Sequence, residues 1–285
     1  MIQKLSILGA GLLGASIMQA AKARGAVAEC VAWSRRAETR DFCRKTDYCD
    51  AVFDTPQEAV AGADVVIACV PVNSIVPLIE SCVPALKPGA LVTDVGSTKA
   101  AICAEADKVL PADVCFVGSH PMAGSELNGI AAARADLLED HLCFVADDER
   151  SRRTGAQKRA TDFWEKLGMR TQVVAPDEHD SVVAFVSHLP HFVAATLSAT
   201  LASKPLFWRD CGAGGLRDTT RVSAGNPQVW QSILEENREK ILPALELFQN
   251  NFAEFASALR EKNSEKLLEI LSSASAWRLP LSRKQ

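Results

Sequence analysis

The sequence predicts an α/β protein, a doubly wound parallel sheet followed by an all-helical half, and three observations carry that prediction. Short apolar runs alternate with helical patterns through the first half, the order expected of βαβ units. Several of those runs, such as Val65-Val66-Ile67-Ala68-Cys69, are apolar at every position, which suits strands covered on both faces. Beyond about Pro176 the strand pattern stops and apolar residues recur only at helical spacing. A chain of 285 residues accommodates two ordinary domains, and the change of pattern divides them as 1–175 and 176–285.

Taken in order, the predicted strands run from Leu5 to Leu8, Cys30 to Trp33, Val65 to Cys69, Leu91 to Val95, Cys115 to Gly118 and Leu142 to Val145. Helix-like segments between them include Ser16 to Arg24, Pro56 to Ala61 and Lys99 to Val109. Asp147 to Arg153 is polar and reads as an exposed turn, before a helix from Ala156 to Leu167 and a last strand at Thr171 to Val174. In the second half, Ser181 to Ser203 reads as one helix kinked by Pro190, because proline lacks the amide its turn needs. Pro227 to Leu259 carries Trp230, Ile233, Leu234, Ile241, Leu245, Phe248, Phe252 and Phe255 along one helical stripe.

Composition excludes several classes. A net charge of −4 leaves no electrostatic footprint for nucleic acid, and no block of like charges suggests a membrane-surface patch. The nine cysteines form no C-x-x-C pair and several sit in apolar stretches, so they read as reduced thiols of a cytoplasmic protein. The apolar N-terminus could pass for a signal peptide, but its glycines fall at turn-making positions and the segment runs on into a helix with Lys22 and Arg24. No uninterrupted apolar run reads as a membrane span.

The N-terminal glycines carry the first functional signal. Gly9-Ala10-Gly11-Leu12-Leu13-Gly14 is a G-x-G-x-x-G directly after a strand and opening a helix. Gly9 permits the turn, Gly11 lets the backbone approach a pyrophosphate, and Gly14 lets helix and strand pack closely. The amides around Leu12 and Leu13, at the helix N-terminus, then face phosphate oxygens. This predicts a Rossmann-like dinucleotide-binding domain. At the end of the second strand, where an NAD site usually has an acid, the chain reads Ser34-Arg35-Arg36. A hydroxyl and guanidinium groups suit a 2′-phosphate, so NADP is expected over NAD, with NAD still possible.

Chemistry-bearing residues gather at strand ends and in the helical half. Ser97 follows the fourth strand in Asp94-Val95-Gly96-Ser97-Thr98-Lys99, and His120 follows the fifth in Gly118-Ser119-His120-Pro121-Met122-Ala123-Gly124. Both lie at the carboxyl edge, where doubly wound sheets bind ligands. Three of only five histidines, His179, His188 and His191, fall in one stretch, followed by Arg217-Asp218-Thr219-Thr220-Arg221. No carboxylate or thiol falls at ligand spacing from them, so no metal is expected.

With these motifs the sequence resembles the prephenate/arogenate dehydrogenase family of tyrosine biosynthesis. The resemblance rests on the glycine motif, Asp94 to Lys99, Gly118 to Gly124, Ser187-His188-Leu189-Pro190-His191, Arg217 to Arg221, and Asn226-Pro227 with Trp230, and spans essentially the whole chain. It implies an oxidative decarboxylation of prephenate to 4-hydroxyphenylpyruvate, or of arogenate to tyrosine, in a homodimer formed through the helical domain. His120 is then the base on the ring hydroxyl, and Ser97 hydrogen-bonds the same hydroxyl or orients the nicotinamide. Arg221 holds a substrate carboxylate, His191 lines the substrate's side-chain end, and His179 and Glu126 are supporting polar groups at the substrate. Trp230, in this family, reaches across the dimer interface. His188 reads as a satisfied core histidine. Because the chain stops at Gln285, feedback by tyrosine through an appended domain is not expected. The alternatives are an NADP-dependent 3-hydroxyacid or imine reductase, which would want a lysine on the first long helix of the second half, and an NADP-sensing protein without turnover.

Overall fold

The computed structural model describes residues 2–123 and 129–283. Strands β1 (Ile2–Leu8), β2 (Val27–Trp33), β3 (Ala51–Val52), β4 (Val65–Ala68), β5 (Leu91–Asp94) and β6 (Cys115–Val117) form one sheet in the order β3-β2-β1-β4-β5-β6. Every pairing in it is parallel. The strands are apolar throughout because consecutive side chains enter two different cores. Leu5, Ile7, Val65, Ile67 and Leu91 belong to one, Leu8, Val66, Ala68 and Val92 to the other. Helices α1 (Leu12–Ala23), α2 (Ala37–Cys43), α3 (Pro56–Val60), α4 (Val72–Cys82), α5 (Ala100–Val109), α6 (Glu149–Thr154) and α7 (Ala156–Lys166) accompany this sheet. Ile17 and Met18 of α1 and Phe163 and Trp164 of α7 fill the first core. Ile75 and Ile79 of α4, with Ile102 and Ala106 of α5, fill the second. Each such fully buried aliphatic side chain contributes roughly 1.5–3 kcal/mol.

The last predicted strands do not extend this sheet. β7 (Ser119–Pro121), β8 (Leu142–Ala146) and β9 (Arg170–Val174) make a second, three-stranded sheet, antiparallel between β7 and β8 and parallel between β8 and β9. The chain leaves the large sheet at Gly118, where an added Cβ would lie 2.6 Å from the Cys103 sulfur. His120 therefore sits inside a strand, opposite Phe144, rather than in a loop at the sheet edge.

After β9 the described chain is helical: α8 (Pro176–Val183), α9 (Leu189–Ala202), α10 (Phe207–Asp210), α11 (Gly214–Thr220), α12 (Pro227–Glu236), α13 (Arg238–Arg260) and α14 (Ser264–Arg278). The predicted kink at Pro190 takes a particular form. The run from Pro176 to Ala202 is continuous, and a π-turn over Ala184–His188 absorbs the missing proline amide just before it. This run is long and apolar enough to cross a membrane by length and composition. It nevertheless carries four buried polar side chains, His179, Asp180, His188 and His191, as a helix packed within protein does. The stripe from Pro227 to Leu259 is broken at Asn237, which caps α12. By their contacts, residues 1–238 and 239–285 form two compact units.

Candidate active site

Because β1, β4, β5 and β6 are parallel, the segments that follow them emerge at one edge of the sheet. The strand order reverses between β1 and β4, the place where sheets of this kind bind ligands. The glycine turn lines it. Gly9 has φ +108, and a Cβ on it would stand 2.4 Å from the Cys69 carbonyl oxygen after β4; a Cβ on Gly14 would stand 2.3 Å from the Gly9 oxygen. A Cβ on Gly11 would meet nothing within 4 Å, and no side chain caps the N-terminus of α1. Open space above Gly11 and the uncapped helix amides at Leu12 and Leu13 form a cradle that fits a pyrophosphate.

Ser34 is buried, and its hydroxyl oxygen accepts from the Ala10 amide at 2.8 Å, tying the end of β2 to the glycine turn. That bond uses one lone pair of the hydroxyl and leaves its O–H proton to be donated, while Arg35 and Arg36 are exposed beside it. Arg40, which sequence reasoning passed over, donates to the carbonyls of Ser34 and Arg35 at 2.7 and 3.2 Å and sets the loop's path.

Ser97 and His120 are brought into register by one buried carboxylate. Asp94, at the end of β5, accepts from the Gly96 amide at 2.8 Å and from the Ser119 amide at 3.0 Å, and pairs with the Lys99 ammonium. Both members of that ion pair are buried, at 0% and 1% exposure. The half-buried Ser97 thus sits in a turn pinned at both ends, and the backbone before His120 is pinned to the same group. Asp94 and Lys99 were read only as parts of a motif; their spacing across a strand–helix junction gives no helical or strand signal that they meet.

His120 is 7% exposed, and its Nδ1 lies 3.0 Å from His179 Nε2. His179 Nδ1 in turn lies 2.8 Å from Asp180 Oδ1. The Asp180 carboxylate accepts from the amides of Lys99 at 2.7 Å and Ala100 at 2.9 Å, capping α5 from another helix. His179, expected among groups at the substrate, is instead fully buried behind His120 with both ring nitrogens engaged. Asn237 completes the cluster: its amide nitrogen donates to the Asp180 carbonyl at 2.9 Å and lies 3.0 Å from His188 Nδ1. Neither Asp180 nor Asn237 was singled out from sequence. Asn237 does occupy the stripe of Ile233 and Ile241, and a polar residue there is a usable signal.

Burial holds His120, His179, His188 and His191 below the ordinary imidazole range. His120 lies well below it, through burial first and then through His179, Lys99 and His188. His179 is lowered chiefly by burial against the opposing pull of Asp180, and His188 falls to about 4 for the same first reason. Asp180 stays low although burial alone would raise it, because His179 and the two amides favour its charged form. Glu236, at the end of α12, is raised by burial. The site therefore presents a neutral imidazole at pH 7, the form that accepts a proton.

His191 stacks on Trp230 with ring centroids 3.5 Å apart and planes at 7°, and His188 meets the same indole edge-on at 6.1 Å. Trp230 thus has an intrachain role in shaping the His191 end of the site. The Val222 backbone meets His191, and the 3-10 turn Arg221–Ala224 that carries it packs against α9. Arg221 is exposed. Glu126 lies outside the described residues.

The comparisons bear on this arrangement. Residues 18–173 match the family model described as prephenate dehydrogenase, nucleotide-binding domain, and residues 175–273 match prephenate dehydrogenase, dimerization domain. The chain is 34% identical to the cyclohexadienyl dehydrogenase of Zymomonas mobilis, covering 97% of this chain and 95% of that one. It is 31% identical to the prephenate dehydrogenase of Bacillus subtilis, over 98% of this chain and 76% of the relative. Its fold superposes on the prephenate dehydrogenase of A. aeolicus, solved with hydroxyphenyl propionate and NAD+, with a TM-score of 0.90 at 26% identity and 99% coverage of both chains.

Proposed function

The chain belongs to the prephenate dehydrogenase family, and we propose that it catalyses the oxidative decarboxylation of prephenate to 4-hydroxyphenylpyruvate in tyrosine biosynthesis. The observation that carries this reading is a buried, neutral His120 tied through Asp94 to the Ser97 turn, at the sheet edge that also holds the glycine cradle. A bound nicotinamide supplies the hydride acceptor. His120 accepts the proton of the ring hydroxyl as that carbon is oxidised, and Ser97 hydrogen-bonds the same oxygen. Arg221 holds a carboxylate of the substrate, for which its planar fork is suited. His191, fixed flat against Trp230, lines the side-chain end. Loss of the ring carboxylate as carbon dioxide makes the ring aromatic and draws the reaction forward. Arogenate, the amino counterpart of prephenate, is the second reading, favoured by similarity to an enzyme named for cyclohexadienyl substrates.

The cofactor we infer is NADP, with NAD as the weaker ligand. The three residues after β2 include no carboxylate, and the exposed Arg35 and Arg36 offer charge-assisted hydrogen bonds to a 2′-phosphate on a loop braced by Arg40. Residues 1–175 then form the cofactor domain and 176–285 the substrate and dimerisation domain. Exposed Leu247, Phe252, Leu268, Leu271 and Trp277 in the last helices support a second copy of the chain as partner. Nine unpaired cysteines support a cytoplasmic setting. Purified protein given prephenate or arogenate with NAD+ or NADP+, followed by absorbance of the reduced cofactor, tests the reading. Turnover of prephenate with NADP+ is expected; no turnover with any pairing overturns it.

A further inference from the structure

We propose that Asp180 and His179 act as positioning residues, a two-step hydrogen-bond relay that fixes the tautomer of His120 with its proton on Nδ1. Nε2 is then the only nitrogen able to accept the substrate proton. The inference rests on His120 being the base and concerns which of its two nitrogens performs that task.

Asp180 is the one group in the chain of contacts that can play only one part. Asp180 receives two backbone amides, Lys99 N on Oδ1 and Ala100 N on Oδ2, and backbone amides donate only. These donors hold it as a carboxylate, which can only accept. The 2.8 Å contact to Oδ1 therefore requires the proton of His179 on Nδ1. His179 is neutral and has one ring proton, so its Nε2 carries a lone pair. The 3.0 Å contact from that lone pair to His120 Nδ1 then requires a proton on His120 Nδ1. His120 is neutral too, and its Nε2 is left bare.

A histidine side chain in water prefers the opposite tautomer, with the proton on Nε2, so this arrangement has to be imposed. The packing is suited to impose it. His179 is fully buried, edge-on to Phe144 with centroids 5.1 Å apart and planes at 85°, so its ring has a fixed orientation. Asn237 ties down the Asp180 backbone carbonyl at 2.9 Å. The reversed tautomer of His120 would set two lone pairs against each other in a buried place, leaving both acceptors unsatisfied, at a cost of roughly 1–3 kcal/mol each. When the substrate hydroxyl gives its proton to Nε2, its O–H bond breaks, an N–H bond forms, and the imidazolium so made is paired through His179 with the Asp180 charge.

The test is a two-bond proton–nitrogen correlation spectrum of the histidine rings in nitrogen-15-labelled full-length protein, with no substrate. Only five histidines are present, and the spectrum of His120→Asn identifies the His120 signals. Wild type is expected to show His120 protonated at Nδ1 and bare at Nε2. His179→Phe removes the acceptor, so His120 is expected to shift to the Nε2–H form while kcat falls by about 10²–10⁴, the worth of a correctly protonated general base. His179→Gln, whose amide can accept from His120 and donate to Asp180, is expected to restore the Nδ1–H signal and at least tenfold of the lost rate. A wild-type His120 carrying its proton on Nε2 overturns the proposal, as does retention of the Nδ1–H form in His179→Phe. If that variant does not fold, the wild-type spectrum decides alone. An Nδ1–H His120 in a protein that oxidises neither prephenate nor arogenate sustains the relay and removes the functional reading instead.

Discussion

Two glycines three residues apart should respond to the same added methyl in opposite ways, because one faces protein and the other faces the cofactor cradle. Alanine at Gly14 puts its Cβ 2.3 Å from the Gly9 carbonyl oxygen and 2.9 Å from Ile7 Cγ2. The nearer atom is backbone and cannot swing aside, so α1 must lift from β1 and disturb Ala15, Ile17 and Met18, all fully buried. Overpacking of this kind costs about 1–3 kcal/mol, and displacement of backbone places Gly14→Ala at the upper end or beyond. Alanine at Gly11 meets nothing within 4 Å, and φ −77, ψ −156 is open to it. It loses about 0.5–1 kcal/mol as a poorer helix N-cap. It recovers about 0.4–1 kcal/mol from a less disordered unfolded chain, so net stability should stay within about 1 kcal/mol of wild type.

Its methyl, however, projects into the space through which a pyrophosphate must approach the helix amides. The same overpacking range, about 1–3 kcal/mol, becomes a loss of roughly 5–150-fold in cofactor affinity. Urea denaturation without cofactor gives the first quantity for both variants, and titration calorimetry with NADP+ gives the second for Gly11→Ala. A Gly11→Ala protein that binds cofactor as tightly as wild type, or that loses more than about 2 kcal/mol of stability without it, would refute the assignment of that cradle.

Lys99→Met should cost about 3–5 kcal/mol in urea denaturation, because it strands the fully buried Asp94 carboxylate; a loss under 1 kcal/mol would contradict the pairing. Acid should destabilise the fold well above the carboxylate range. His188 is shifted down from 6.5 to about 4, so its contribution is complete above pH 6.5 and lost as pH falls towards 4, where the unfolded chain binds the extra proton. That change amounts to roughly 3 kcal/mol for this one imidazole, with His120, His179 and His191 acting in the same direction, and it is read from denaturation midpoints between pH 7 and 4. Replacing Arg35 and Arg36 together by serine should raise KM for NADP+ about 10–100-fold, leave KM for NAD+ within a few-fold, and not shift the melting temperature, since both side chains are exposed. An equal change for both cofactors would remove the 2′-phosphate contact.

Apart from the two-residue β3, which was not predicted, the large sheet was legible because its physics is local. A strand buried on both faces must be apolar at successive positions, and Val65-Val66-Ile67-Ala68 says so directly. The second sheet was not, since β7 is Ser-His-Pro, which has no strand pattern and is extended only because it pairs with Cys143 to Val145. β9 is largely exposed and alternates weakly, so its partner could not be inferred either. The break at Asn237 was overridden by the periodicity around it: the stripe continues in phase on both sides, and only the buried hydrogen bonds to Asp180 and His188 show why the helix stops there.

The candidate site divides along the same line between local and tertiary causes. Ser97 and His120 could be named from motifs because each follows a strand of the parallel sheet, β5 or β6, whose carboxyl ends share an edge. Asp180 could not, because Asp177, Glu178 and Asp180 look alike in sequence: acids in the first turns of a helix, where each complements the helix dipole. What separates Asp180 is a fold-level coincidence, the N-terminus of α5 arriving 81 residues upstream in sequence yet 2.7 Å away in space. Once that carboxylate is held by two amides, the proton positions on His179 and then on His120 follow by elimination. The residue most exposed to mutation-by-analogy, His120, thus owes its basic nitrogen to a neighbour that no motif marks, and Asp94 does the same for its backbone. The imidazole proposed as the base is legible in the sequence; the two buried carboxylates that hold its position and proton become legible only when the strands and helices are assembled.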